Sequence, residues 1–369
     1  MAQDNSHIRL GQRVKKHKLT PHKWKITEQI PPDIACLVIL TGSDTETDKK
    51  ANSYAKETLE LLKNKSLPIY AVAYNKGERD FRQDREAVLA RYEQANPRLP
   101  YIRNVKEEDK YYVPRYICEL YAATLALRLR QEDGNKAPLA LAAQRLNMIP
   151  FITHCQGSTA LQQMEYLMEQ DMAELGYTKT QRQYLFRQIH SVNVAPVTPI
   201  GKTQTTAFKF ITLKDDVALS VHTAQTNYIY NRQLDDIKPI MDISLFRPTE
   251  NETIFAASSI YYENNDANIL TSTPTTEHSY AALTDIEDND RTIAGDKLSY
   301  TFRTILNWLA EYALKNQTEF SELPSIFKEK RFNFILKETQ NNRYEFIKRE
   351  ISHARQNTPS TPIIDKKQR

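Results

Sequence analysis

A chain of 369 residues, 40% hydrophobic and 26% charged, has the composition of a globular protein with one full-sized core, or of one domain with appendages. The net charge of +4 is small for this length and arises largely at the two ends, so it does not point to nucleic acid as a partner. No run approaches the roughly eighteen apolar residues that would suggest a membrane-spanning helix, and no Cys/His spacing suits zinc.

The N-terminus is basic (Arg9, Arg13, Lys15, Lys16, Lys18) but has no apolar core of a Sec signal peptide. Residues 1–32 therefore read as a basic arm or entry segment with a strand at most, residues 1–20 of it disordered or loosely attached, and the chain as cytoplasmic or exported by another route. Three widely spaced cysteines suit a reducing compartment. Cys36 and Cys118 sit among apolar residues and read as buried small hydrophobes.

Residues 34–41 are apolar throughout, as in a strand buried on both faces, and Gly42, Ser43 and Asp44 end it. Residues 47–63 carry helical periodicity through Ala51, Tyr54, Ala55, Thr58 and Leu61, and residues 67–74 form a second buried strand. Strand, helix, strand at this spacing implies a parallel pair. A helix is expected at 82–94, another at 112–130 and a third at 137–146. A long helical region at 159–189 breaks near Gly176. Strands follow at 190–197, 207–213 and 253–262, and an amphipathic helix at 296–314. Residues 317–369 read as a charged helical tail, a possible contact for a protein partner, ending in disorder. Alternation of this kind predicts a three-layer α/β sandwich with a mainly parallel sheet, its main domain at 33–316. Ligands of such folds bind beyond the carboxyl ends of the strands.

Residues 148–158 join a short apolar strand to a helix through Thr153-His154-Cys155-Gln156-Gly157. A nucleophile presented on a sharp strand-to-helix turn needs small residues two places before and after it, because the backbone there is crowded. Thr153 and Gly157 hold those places around Cys155. A thiol is mostly protonated at neutral pH, so catalysis needs help. The positive end of the following helix favours thiolate, and a His could act as base and then as acid.

The stretch resembles the nucleophile elbow of the α/β-hydrolase superfamily, with Cys for the usual Ser and Thr153 for the first small residue. The resemblance extends over roughly residues 34–314. That family's order is nucleophile, acid, His. It implies Asp215 as acid, with its neighbour Asp216 as the alternative, and His278 as base in preference to His222. Lys214-Asp215-Asp216-Val217 resembles the end of the acid-bearing strand in lipase-like members, and His278 with Tyr280 resembles their His loop. The link between the strands at 190–197 and 207–213 is too short for a full helix and departs from the family's commonest topology. The N–H of Gln156 is the first expected oxyanion donor. The second is expected from the loop holding Gly42 and Ser43. His154 reads as structural. The segment 218–276 would be a lid or insertion. Dienelactone-hydrolase-like and polyhydroxyalkanoate-synthase-like enzymes are members with Cys nucleophiles.

These residues imply hydrolysis or acyl transfer on an ester or thioester through an acyl-cysteine, with no cofactor and no metal. Two other functions fit the same residues. One is a hydrolase-like binding module without catalysis. The other is a Rossmann-like protein that binds a small ligand near Gly42.

Overall fold

Where the sequence stays apolar at every position, the chain forms strands buried on both faces. Leu37–Leu40 (β3) and Ile69–Tyr74 (β4) are buried at every residue and pair in parallel. The computed structural model describes residues 8–14, 23–43, 45–74, 87–88, 112–198, 203–212, 251–257, 280 and 293–315. Between β3 and β4 runs α1, Asp48–Leu61, which Thr47 caps by accepting the N–H of Lys50.

Among the described residues, three helices with both ends defined come next after β4. They are α2 (Arg115–Thr124), α3 (Leu139–Asn147) and, after the strand β5 (Phe151–His154), the long α4 (Gln156–Glu174). Helix α5, Lys179–Gln188, starts in a capping box between Thr178 and Gln181. The expected break is at Gly176, whose φ of +79° ends α4 in a conformation that glycine adopts without strain. Strands β6 (His190–Val194), β7 (Thr206–Thr212) and β8 (Glu252–Ala257) come next, then helix α6, Ile293–Lys315.

The expected helix at 112–130 is shorter. It starts after Pro114 and tightens into a 3-10 turn at Ala126–Leu129. The side chain of Arg128 accompanies the change. Its Nε takes the carbonyl of Thr124, while its own N–H bonds Leu125 instead. The buried guanidinium also donates to the carbonyls of Pro31, Pro32, Ile34 and Arg145. Burial pulls this guanidinium below its ordinary pKa.

Among the described residues eight strands form one sheet in the order β2-β1-β4-β3-β5-β6-β7-β8. From β4 to β8 every pair is parallel. Helices cover both faces. One cluster packs Val38, Leu40, Val72 and Phe151 against α2 to α5. The other packs Ile39, Ile152, Val192 and Phe208 against α1 and against Phe302, Ile305 and Leu309 of α6. The chain is thus an α/β protein with a mainly parallel sheet.

The N-terminal region differs from the expected arm. Ile8–Val14 (β1) and Lys23–Thr27 (β2) form an antiparallel hairpin, and β1 also pairs antiparallel with β4. Ile8 and Leu10 are buried, while Arg9 bonds Asp48 and Arg13 bonds Asn52 on α1. The apolar alternation of Ile8 and Leu10 is interrupted at Gln12 before Val14, too short a pattern to separate from a solvated basic segment. Cys118 is a second correction: it is exposed on α2, whereas Cys36 is buried as expected. Residues 252–257, inside the span expected as a lid, are sheet.

Of the helix expected at 82–94, residues 87–88 are helical and the rest lies outside the described residues. The tail at 317–369 and the remainder of 218–276 lie outside them too, apart from Asn251. Among the described residues no helix is long and apolar enough to cross a membrane.

Candidate functional site

Cys155 stands between the last residue of β5 and the first of α4, with φ 50° and ψ −119°. An L-residue adopts that backbone only under strain, and such strain concentrates at functional positions. The turn is held from several sides. The Cys155 N–H donates to the carbonyl of Val194 at 3.2 Å. Its carbonyl accepts from the N–H of Ser158 at 3.0 Å and from the Ser158 hydroxyl at 2.7 Å. The same hydroxyl accepts the N–H of Val197 at 3.1 Å. Among the described residues Ala195, with φ 45°, is the only other non-glycine residue with positive φ.

Gly157 sets how close α4 comes to the sheet. A Cβ built there would lie 1.9 Å from the carbonyl oxygen of Leu40. Glycine therefore lets the helix start against the end of β3, beside the loop Thr41–Ser43. In that loop Gly42 is buried and Ser43 exposed, and the Gly42 carbonyl accepts the N–H of Thr45. The positive end of α4 points at this junction. The two stretches expected to supply oxyanion donors, Gln156 and the loop with Gly42 and Ser43, thus meet at one place.

Thr153 explains how the turn tolerates a side chain larger than glycine. Its hydroxyl donates to Asn193 Oδ1 at 2.7 Å on the neighbouring strand, so the side chain lies along the sheet. Asn193 in turn donates to the Ser191 hydroxyl.

His154 is buried, and its Nδ1 lies 2.8 Å from the Tyr54 hydroxyl. Tyr280 packs against both, its ring centroid 4.9 Å from Tyr54 and 5.9 Å from His154. The Tyr280 hydroxyl lies 2.8 Å from Thr58 Oγ1. Desolvation raises the Tyr280 phenol above its usual pKa, which keeps it neutral.

In the link from β6 to β7, the described residues form no helix. The fully buried Glu165 of α4 anchors its end. Its carboxylate accepts from the N–H groups of Gln204 and Thr205 and from the Thr205 hydroxyl. Burial pushes this carboxyl above its ordinary pKa, opposed by those hydrogen bonds and by Lys209.

Asp215, Asp216, His222 and His278 lie outside the described residues. Among the described residues no group of His, Cys, Asp and Glu is arranged to hold a metal ion. Sequence reasoning passed over Tyr54, Thr58, Ser158 and Ala195. Tyr54 and Thr58 stand four apart on α1 and carried only a core-stripe signal. Ala195 carried none, because nothing in a sequence marks an alanine with positive φ. Compared with known proteins, the chain matches no protein-family model and no curated protein.

Proposed function

We propose that the chain is an α/β-hydrolase-fold enzyme of acyl chemistry, with Cys155 as nucleophile, His278 as base and Asp215 as its orienting acid. The observation that carries this proposal is the strained backbone of Cys155 at a strand-to-helix junction that only glycine at 157 permits. A cysteine that merely filled a core would need neither feature. The order of the acid is also supported: residues 195–205, the whole link after β6, contain no Asp or Glu, which leaves the stretch after β7 to supply it. Asp216 remains the alternative acid.

In the proposed reaction Cys155 Sγ attacks the carbonyl carbon of an ester or thioester. The S–C bond forms as the carbonyl electron pair moves onto oxygen, where the Gln156 N–H and a donor from the Gly42–Ser43 loop stabilise it. Collapse expels an alcohol or thiol, which takes the proton that His278 removed from sulfur. Water, or an acceptor alcohol, then attacks the acyl-cysteine along the same path. The sulfur regains its proton as the acid or new ester leaves.

Incubation with p-nitrophenyl butyrate tests this. The expected result is turnover, together with a mass increase of one acyl group on the peptide holding Cys155. Cys155→Ala should show neither. Turnover that survives in that variant overturns the proposal. A protein that shows no turnover and no acyl-cysteine leaves the binding module as the better reading. The buried Gly42, bonded back to Thr45, lends no support to a phosphate-sized groove there.

A further inference from the structure

Helices α1 and α5 are capped by the side chain of their N-cap threonine, Thr47 or Thr178, which accepts the N–H of the third helical residue. α4 starts differently. Cys155 stands at its N-cap, and the Cys155 side chain makes no cap hydrogen bond. The third helical residue is Ser158, whose N–H goes to the Cys155 carbonyl at 3.0 Å instead. The Ser158 hydroxyl completes the cap. A serine hydroxyl has one hydrogen. That hydrogen is spent on the Cys155 carbonyl, 2.7 Å away, and the oxygen accepts the N–H of Val197 at 3.1 Å. One side-chain oxygen thus ties the turn at Cys155 to the loop after β6. The N–H of Ala195 fastens that loop in turn to the carbonyl of Phe210 on β7. Ser158 is 2% exposed and Val197 3%, so bulk solvent does not replace the hydroxyl once it is lost. Backbone strain of the kind seen at Cys155 persists only where its surroundings over-determine it. Of the three hydrogen bonds named on the Cys155 backbone, the one from the Ser158 hydroxyl is made by a side chain.

We propose that Ser158 is a positioning residue for the acyl chemistry: its hydroxyl locks the strained turn and takes over the capping of α4, so that the Cys155 thiol is left for attack. The inference rests on the reading of Cys155 as nucleophile. It concerns how the sulfur is oriented, not how the sulfur loses its proton.

The test compares two reactions of Cys155 in the full chain at pH 9, where thiols ionise without a base. Alkylation by iodoacetamide, read by peptide mass spectrometry, asks only for an accessible thiolate. Acylation by p-nitrophenyl butyrate also asks that the sulfur meet the carbonyl carbon with the Gln156 N–H beside the developing oxyanion, so it depends on orientation. With protein in excess over ester, p-nitrophenolate leaves as the sulfur–butyryl bond forms, and its release reads acylation alone. Cys155→Ala gives the background. Ser158→Ala should acylate at least about 5-fold more slowly than the parent and alkylate within about 2-fold of it. Ser158→Thr, which keeps the hydroxyl, should stay within about 2-fold of the parent in both reactions. Parental acylation in Ser158→Ala would overturn the inference. So would equal slowing of both reactions, which marks a general defect, or equal slowing of Ser158→Thr and Ser158→Ala, which places the effect in packing. A parent that acylates no faster than Cys155→Ala would remove the reading of Cys155 as nucleophile, and the inference with it. Where Ser158→Ala does not fold, the amide hydrogen of Val197 in the parent decides. Slow exchange with heavy water is expected there, and exchange at the free-peptide rate would overturn the inference.

Discussion

Cys155 and Ala195 face each other at the carboxyl edge of the sheet, one hydrogen bond apart through Val194, and both hold a positive φ. Ala195 is itself held by its N–H, which donates to the carbonyl of Phe210. Left-handed backbone costs an alanine about 1–2 kcal/mol, and a β-branched residue more. Ala195→Val should destabilise the protein by about 2 kcal/mol or more. In Ala195→Gly the relief of strain is offset by unfolded-state entropy, so stability should change by less than about 1 kcal/mol. Urea unfolding of both variants checks this, and equal losses would mean that Ala195 carries no strain.

Gly157→Ala should be severe. The added methyl would fall on the backbone of Leu40, which cannot rotate away, so α4 must retreat from β3. Overpacking of this kind costs about 1–3 kcal/mol or more. On the proposed function, acyl-enzyme formation should drop at least 10-fold in molecules that remain folded, because the two proposed oxyanion donors would separate. Folded Gly157→Ala protein with full activity would show that close approach is not needed.

The three thiols should react in the order Cys155, Cys118, Cys36. Burial pushes the Cys36 thiol up to about 11, so it should label only after unfolding. Cys118 is exposed, but partial desolvation raises its thiol as well and should slow it. Brief iodoacetamide treatment of the native protein, read by mass spectrometry, gives the order directly. Labelling of Cys118 ahead of Cys155 would count against an activated Cys155.

His190 should make the fold acid-sensitive. It is the first residue of β6, buried against α6 with the rings of Trp308 and Tyr312 packed on it, and burial lowers its pKa to about 3. The unfolded chain takes up that proton near pH 6.5, and the folded chain does not until about pH 3. The unfolded state therefore binds more protons between those values, and stability falls as pH drops through the window. The slope approaches about 1.4 kcal/mol per pH unit from this one group. Glu165 acts in the opposite sense, since its raised folded pKa lets the native state hold a proton longer. Comparing urea midpoints at pH 7 and pH 4.5 isolates His190: His190→Phe should lose less stability on acidification than the parent.

Much of the framework is legible in the residues themselves. β3 and β4 announce themselves as unbroken apolar runs, and the break between α4 and α5 falls on the glycine that permits it. The strand-to-helix junction at Cys155 is legible because an apolar run precedes it and a glycine follows Cys155 two places on. The N-terminal hairpin was hidden because Ile8 and Leu10 offer too short an alternation. Cys118 was misjudged because helical neighbours can be apolar while one position faces water. Tyr54, Thr58 and Tyr280 were invisible as a group because residues 222 apart in sequence meet only in the fold.

The carbonyls gathered by Arg128 have a consequence for how the chain is made. Three of them belong to residues 31–34, which lead into β3, and another belongs to Arg145. β3 itself lies between β4 and β5, with its Val38 opposite Phe151. On a ribosome adding about 5–20 residues per second, that segment emerges roughly 5–20 seconds before the residues that complete it. Until then the edge of β3 that pairs with β5 has no partner strand. The central strand of the sheet is among the first to be synthesised and cannot be finished until β5 arrives.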